Sequence, residues 1–137
     1  MNLFVDTSVW SIVLRRDTLP SQPEVVLLSR CLAEGEAIFT TGLVLQELLQ
    51  GFEGPRQRRA IEQRFSSLPL IVPTLKDHIE AAGLRNKCRH KGLQIGTIDA
   101  LLAQLCIRHE LSLLTTDGDF AQIARFFPLR LLKAGEK

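Results

Sequence analysis

Short apolar triplets, set between stretches of helical patterning, dominate this chain. Leu3–Val5 is an apolar run followed at once by Asp6, Thr7 and Ser8. A short apolar run bounded by polar residues predicts a buried strand. Ala37–Phe39, Leu70–Val72, Ser112–Leu114 and Leu129–Leu131 repeat the pattern, so five short strands are predicted. Between them, apolar residues recur at helical spacing. Val9–Leu14 predicts a short helix, stopped by a loop at Asp17–Pro23. Glu24–Glu34 predicts a helix packed through Val25, Leu28 and Leu32, with Gly35 as its stop. Gly42–Phe52 carries Val44, Leu45, Leu48 and Leu49 on one face. After the Gly54-Pro55 break, Arg56–Phe65 predicts a basic helix packed through Ile61 and Phe65. Thr74 can cap a long helix reaching about Lys91, and Gly92–Gly96 reads as a loop. Thr97–His109 is almost wholly apolar and predicts a buried helix. Asp117-Gly118-Asp119 opens a short helix to about Arg125, and Pro128 ends it.

Apolar strands alternating with helices predict an α/β fold: a central parallel sheet of about five short strands, flanked by helices on both faces. In such sheets functional groups lie just outside the carboxyl ends of the strands. The 137 residues show no repeat and no linker, which predicts one domain over 1–137. A hydrophobic fraction of 45% excludes a disordered chain. The apolar runs fall well short of the ~18 residues a membrane helix needs, so no membrane association is expected. The start, MNLFVDTS, lacks a basic n-region, which predicts no signal peptide. Cys31, Cys88 and Cys106 are odd in number and widely spaced, with no C-x-x-C. They read as small apolar residues in a reducing, cytoplasmic protein rather than a disulfide framework or zinc site.

Charge changes the picture. Residues 54–91 carry nine basic groups (among them Arg56, Arg58, Arg59, Arg85, Lys87, Arg89 and Lys91) against three acids, a net of +6. With +2 for the whole chain, the remainder carries −4. Arginine outnumbers lysine twelve to five, and its planar fork suits phosphate. For any single residue a solvated helix face explains the charge; for the group, nucleic acid is the competing explanation.

Four acids fall where the fold puts chemistry. Asp6 follows the first predicted strand and Asp117 the fourth. Glu47 lies at the edge of an apolar helix face, and Asp99 shares a face with Leu102, Ala103 and Cys106. Each also has an ordinary role available. Asp6 could cap a helix, Asp99 could answer a helix dipole, Glu47 could be a helix-edge residue, and Asp117 or Asp119 could serve the D-G-D turn. As a set they are costly. Two carboxylates ~5 Å apart at an effective dielectric of ~20 repel by roughly 3 kcal/mol. A domain with ~5–15 kcal/mol of stability must protonate them, pair them or bind a cation. All-oxygen ligands suit Mg²⁺ or Mn²⁺, with Thr7, Ser8 and Thr116 as supporting hydroxyls.

With these residues in place, the sequence resembles a PIN domain, and within that superfamily a VapC toxin of a toxin–antitoxin pair. The matching stretches are Asp6-Thr7-Ser8, Glu47 within Leu45-Gln46-Glu47-Leu48, Asp99 within Thr97–Ala103, and Thr115-Thr116-Asp117-Gly118-Asp119-Phe120. The resemblance implies a metal-dependent endoribonuclease with Asp6, Glu47, Asp99 and Asp117 as its acidic site and Asp119 as an auxiliary ligand. It also implies homodimers, inhibition by a cognate antitoxin, and RNA substrates such as tRNA or rRNA.

The expected chemistry is in-line attack of water on a phosphodiester, assisted by one or two Mg²⁺ ions. The basic residues of 54–91 would hold the RNA backbone. His78, His90 and His109 lie far from the acids in sequence and read as surface residues. With one Trp, no Tyr and seven Phe, RNA shape is a better basis for recognition than base stacking. Three alternatives remain open. A haloacid-dehalogenase-like phosphatase would resemble D-x-D after the first strand, where this chain has Ser8. A receiver-like domain would place an acid after the third strand, where it has Pro73-Thr74. A PIN-fold protein outside toxin–antitoxin systems that only binds or processes RNA is the third.

Overall fold

The computed structural model describes residues 1–15 and 21–133. Its four strands are β1 (Asn2–Val5), β2 (Ala37–Phe39), β3 (Ser112–Leu114) and β4 (Arg130–Leu132). Its seven helices are α1 (Thr7–Leu14), α2 (Pro23–Ala33), α3 (Gly42–Gly51), α4 (Pro55–Phe65), α5 (Leu75–His90), α6 (Thr97–Arg108) and α7 (Gly118–Ala124). The sheet is parallel throughout, in the order β2-β1-β3-β4. Phe4 pairs with Phe39 on one side and Leu113 on the other. Leu3, Phe4, Val5 and Leu113 are fully buried, as expected of central strands covered on both faces. The loop predicted at Asp17–Pro23 lies mostly outside the described residues, and Pro23 instead opens α2. Helix α1 starts at Thr7, two residues earlier than the pattern indicates.

The one predicted strand that fails is Leu70–Val72. Leu70 makes a single parallel bridge to Thr40, through Thr40 N to Pro69 O at 3.0 Å and Ile71 N to Thr40 O at 2.8 Å. Pro69 and Pro73 bracket the segment, and neither has an N–H to extend a ladder. Among the described residues nothing covers its outer face: Leu70 and Val72 are 54% and 71% exposed, and only Ile71 is buried. Among the described residues the sheet therefore has four strands rather than five. The last strand lies one residue later than predicted, at Arg130–Leu132.

Two devices place α6, which carries Asp99. Its residues Ala100–Cys106 are all buried, so the helix runs through the core against α5. At its far end Arg108 grips Asp77 with two hydrogen bonds, Nε to Oδ1 at 2.6 Å and Nη2 to Oδ2 at 2.8 Å. Asp77 is itself part of a capping box with Thr74 at the start of α5. Burial alone would raise the Asp77 carboxyl; the Arg108 guanidinium and the Thr74 donors outweigh it and hold it below the ordinary range. This clamp joins the first turn of α5 to the last turn of α6. The return between the helices turns at Gly92, whose φ of 82° favours a residue without a Cβ. Among the described residues no helix is long and apolar enough to cross a membrane. Cys31, Cys88 and Cys106 are free and buried, which agrees with their reading as small apolar residues.

Candidate metal centre

Strand order reverses between β1 and β3, because the chain leaves β1 toward β2 on one side and returns to β3 on the other. A crevice outside the carboxyl ends at such a reversal is where open α/β sheets place their ligands. Asp6 follows β1 there, and its N–H donates to Leu114 O at 2.9 Å, prolonging the β1–β3 ladder by one rung. Its side chain does not cap α1. Instead Asp6 Oδ2 accepts from Ser8 Oγ at 2.9 Å and Thr115 Oγ1 at 2.8 Å. The capping role open to Asp6 is thus not taken, and a 6%-exposed carboxylate is held by two hydroxyls across two strand ends.

Thr115 was not among the candidate hydroxyls; Thr116 was. The Thr116 contribution is its backbone N–H, which donates to Ser8 Oγ at 3.0 Å. The physical reason is alternation past the end of β3: successive side chains point to opposite sides, so only one of the two threonines can face Asp6. Thr115 Oγ1 also accepts from Asp117 N at 3.0 Å. Thr7 supports a different acid, donating from Oγ1 to Glu47 Oε1 at 2.9 Å and so tying α3 to the start of α1.

Asp117 combines two readings that had competed. It is the N-cap of α7, accepting from Asp119 N at 2.9 Å, and it belongs to the acid cluster. Carboxylate oxygens of Asp99, Asp117 and Asp119 all lie within 4.8 Å of one another. Asp119 had the cap as its ordinary explanation; the cap is Asp117. Asp99 accepts no hydrogen bond among the described residues. Its carboxyl is pushed up from 3.8 to about 7, first by burial and then by Asp117, Asp6, Asp119 and Glu47. All five acids therefore act on one electrostatic site, with Glu47 at its exposed edge. No ion pair compensates any of them among the described residues. Oxygen-only donors, crowded and lacking a counter-charge, fit a hard divalent cation of the Mg²⁺ or Mn²⁺ kind.

The basic residues are not gathered in the same way. Arg56, Arg58 and Arg59 lie exposed on α4, and Arg58 Nη1 donates to Leu49 O at 3.2 Å. Arg85, Lys87, Arg89 and Lys91 belong to the last turns of α5 and its C-cap. Lys91 Nζ sits 4.6 Å from the centre of the Phe126 ring.

A parallel four-stranded sheet with acids converging at its β1–β3 switch point defines a class of α/β protein with an acidic cluster outside its strand ends. The chain belongs to the PIN-domain family, whose model it matches over residues 3–126. It is 31% identical over 131 residues to the VapC ribonuclease Mb1587 of Mycobacterium bovis, covering 93% of this chain and 96% of that protein. The same values hold for ribonuclease VapC11 of Mycobacterium tuberculosis. Among solved structures, VapBC2 of Rickettsia felis bound to a promoter DNA fragment superposes with a TM-score of 0.75. Identity there is 24%, covering 96% of this chain and 98% of that one.

Proposed function

We propose that the protein is an endoribonuclease, the toxin of a toxin–antitoxin pair, and that it hydrolyses RNA phosphodiester bonds with Mg²⁺ or Mn²⁺ in the cytoplasm. The observation that carries this reading is the triad of Asp99, Asp117 and Asp119, crowded within 4.8 Å and without a counter-charge. Asp6, Asp99, Asp117 and Asp119 would hold the cation. Bound there, it supplies Lewis acidity toward the phosphodiester and neutralises charge on the leaving oxygen.

The chain's own residues do the rest. Ser8 and Thr115 fix the orientation of Asp6, and Thr7 fixes Glu47 through Oε1. Glu47 Oε2 is left to accept a proton from the attacking water at the open edge of the site. As the water oxygen bonds to phosphorus, the opposite P–O bond breaks and the departing oxygen takes up a proton from solvent, while Glu47 returns its own to solvent. The surface arginines and lysines of α4 and α5 hold the RNA backbone without reading sequence. The two rival folds lose ground: Ser8 donates to Asp6 instead of supplying a second acid, and the segment before Pro73 is no strand.

Incubation with total RNA should give discrete cleavage products with Mg²⁺ or Mn²⁺ and none with EDTA. RNA left intact in both conditions would overturn the reading.

We also propose a homodimer. Leu70, Val72, Leu75 and Ile79 form a run of large apolar side chains that are 54–78% exposed, a costly surface for a lone protomer. The double variant Leu75→Glu, Ile79→Glu should sediment as a monomer where the wild type sediments as a dimer. An unchanged mass would remove this face from the contact.

A further inference from the structure

Most charged side chains of α5 and α6 are either open to water or paired, but Arg85 is neither. It is half-buried and makes no ion pair among the described residues. Its Nε donates to the backbone carbonyl of Ile95 at 2.7 Å, which fixes the guanidinium against the loop leading into α6. Five N–H hydrogens on an arginine less one leaves both Nη groups available. A preorganised guanidinium with no carboxylate suits a phosphate.

Arg85 also stands between two cavities. One, of about 220 Å³, runs past Arg89 and Gln94. The other is a groove of about 400 Å³ between α5 and the start of α6, floored by Ala81, Ala100 and Leu101. None of the five acids lines this groove, but two of its residues neighbour them along the chain. Ile98, in its wall, immediately precedes Asp99, and Leu43, in the facing wall, lies one turn before Glu47 on α3. At its rim Asn86 Oδ1 already accepts from Arg89 Nη2 at 3.0 Å, which leaves the Asn86 amide hydrogens to donate. The size falls within the range of small-molecule pockets, and an apolar floor with a few polar groups is what such pockets use for orientation.

We infer that this groove is the subsite for the nucleotide next to the cleaved phosphodiester, its phosphate held by the Nη groups of Arg85 and its base admitted between α5 and α6. The inference rests on the ribonuclease reading above and adds to it a place where the enzyme can favour one base. A second copy of the chain is the weaker occupant. A two-fold contact over the groove would bury an unpaired guanidinium from each copy.

The test uses the full chain and two RNA probes. A labelled pool of random-sequence RNA oligonucleotides reports binding to the Asp99→Asn protein, and total RNA with Mg²⁺ and end sequencing reports cleavage sites. In the binding assay Arg85→Gln should weaken affinity about tenfold, the loss of one charge-assisted contact, and flatten the log–log salt slope by about 0.7. Arg85→Lys should restore the slope and only part of the affinity, because the charge returns without the hydrogen bond to Ile95. Ala82→Phe, which fills the groove from its exposed side, should level the base preference at the position flanking the cut. Melting temperatures confirm that the variants fold. Wild-type binding, slope and base preference in both Arg85→Gln and Ala82→Phe would overturn the subsite. So would conversion of a dimer to a monomer with cleavage unchanged, since the groove would then be a contact between copies. A wild-type protein that neither binds nor cuts RNA overturns the ribonuclease reading, and the subsite falls with it.

Discussion

Asp99→Asn should lose RNA cleavage by more than about 100-fold while making the metal-free protein more stable. The first half follows from position: Asp99 is a half-buried member of the triad, and even residues one shell removed from a metal typically cost 10–100-fold. The second half follows from its titration. Burial, then Asp117, Asp6, Asp119 and Glu47, raise the carboxyl from 3.8 to about 7. Between those values the folded chain holds a proton that the unfolded chain has released. Stability of the metal-free protein therefore falls as pH rises from about 4 toward 7. Asparagine has no proton to lose, so this component should vanish in the variant. Mg²⁺ favours the ionised form and binds only the folded chain, so it should raise the wild-type melting temperature most at the upper end of that range, and the variant's little. Melting curves across pH, with EDTA and with Mg²⁺, measure both effects. A variant that cleaves like the wild type, or that keeps the same pH profile and metal response, would take Asp99 out of the site.

This double behaviour explains why much of the site was legible in the sequence. An acid on the same helical face as Leu102, Ala103 and Cys106 must enter an apolar environment, and those three residues are 0–1% exposed. The strand ends were legible for a similar reason: Leu3–Val5 and Ser112–Leu114 are apolar on both faces, which only a central strand tolerates. What escaped depends on tertiary contact. Whether Asp6 caps its helix or serves the crevice turns on Thr115, which is 109 positions away. Leu70–Val72 reads as a strand by composition, but its prolines and its lack of a cover reduce it to one bridge. The Arg85 groove left no local signal either, since its walls come from α3, α5 and α6.

Addition of the cognate antitoxin should suppress RNA cleavage to background. The five acids have no cation of their own among the described residues, so any partner that brings a guanidinium to them relieves the same repulsion a metal does. A bidentate arginine–carboxylate contact would do so while occupying the ligand oxygens. The grooves on either side of the acids widen the surface such a partner could cover. One is walled by Leu43 and Arg85, the other by Glu24, Thr116 and Asp117. One bound segment would thereby exclude both cation and RNA. Coexpression with such an antitoxin should yield a stable complex, more resistant to heat by about 2.7 kcal/mol at a partner concentration of 100 times Kd. Replacing by glutamine an arginine that the partner brings to the acids should return cleavage without dissolving the complex. The decisive comparison is the chain alone against the chain with excess partner, both assayed on RNA with Mg²⁺. Equal cleavage would sink the toxin–antitoxin reading and leave the ribonuclease reading standing, because the acids at the β1–β3 switch point would still cut RNA with no partner to silence them.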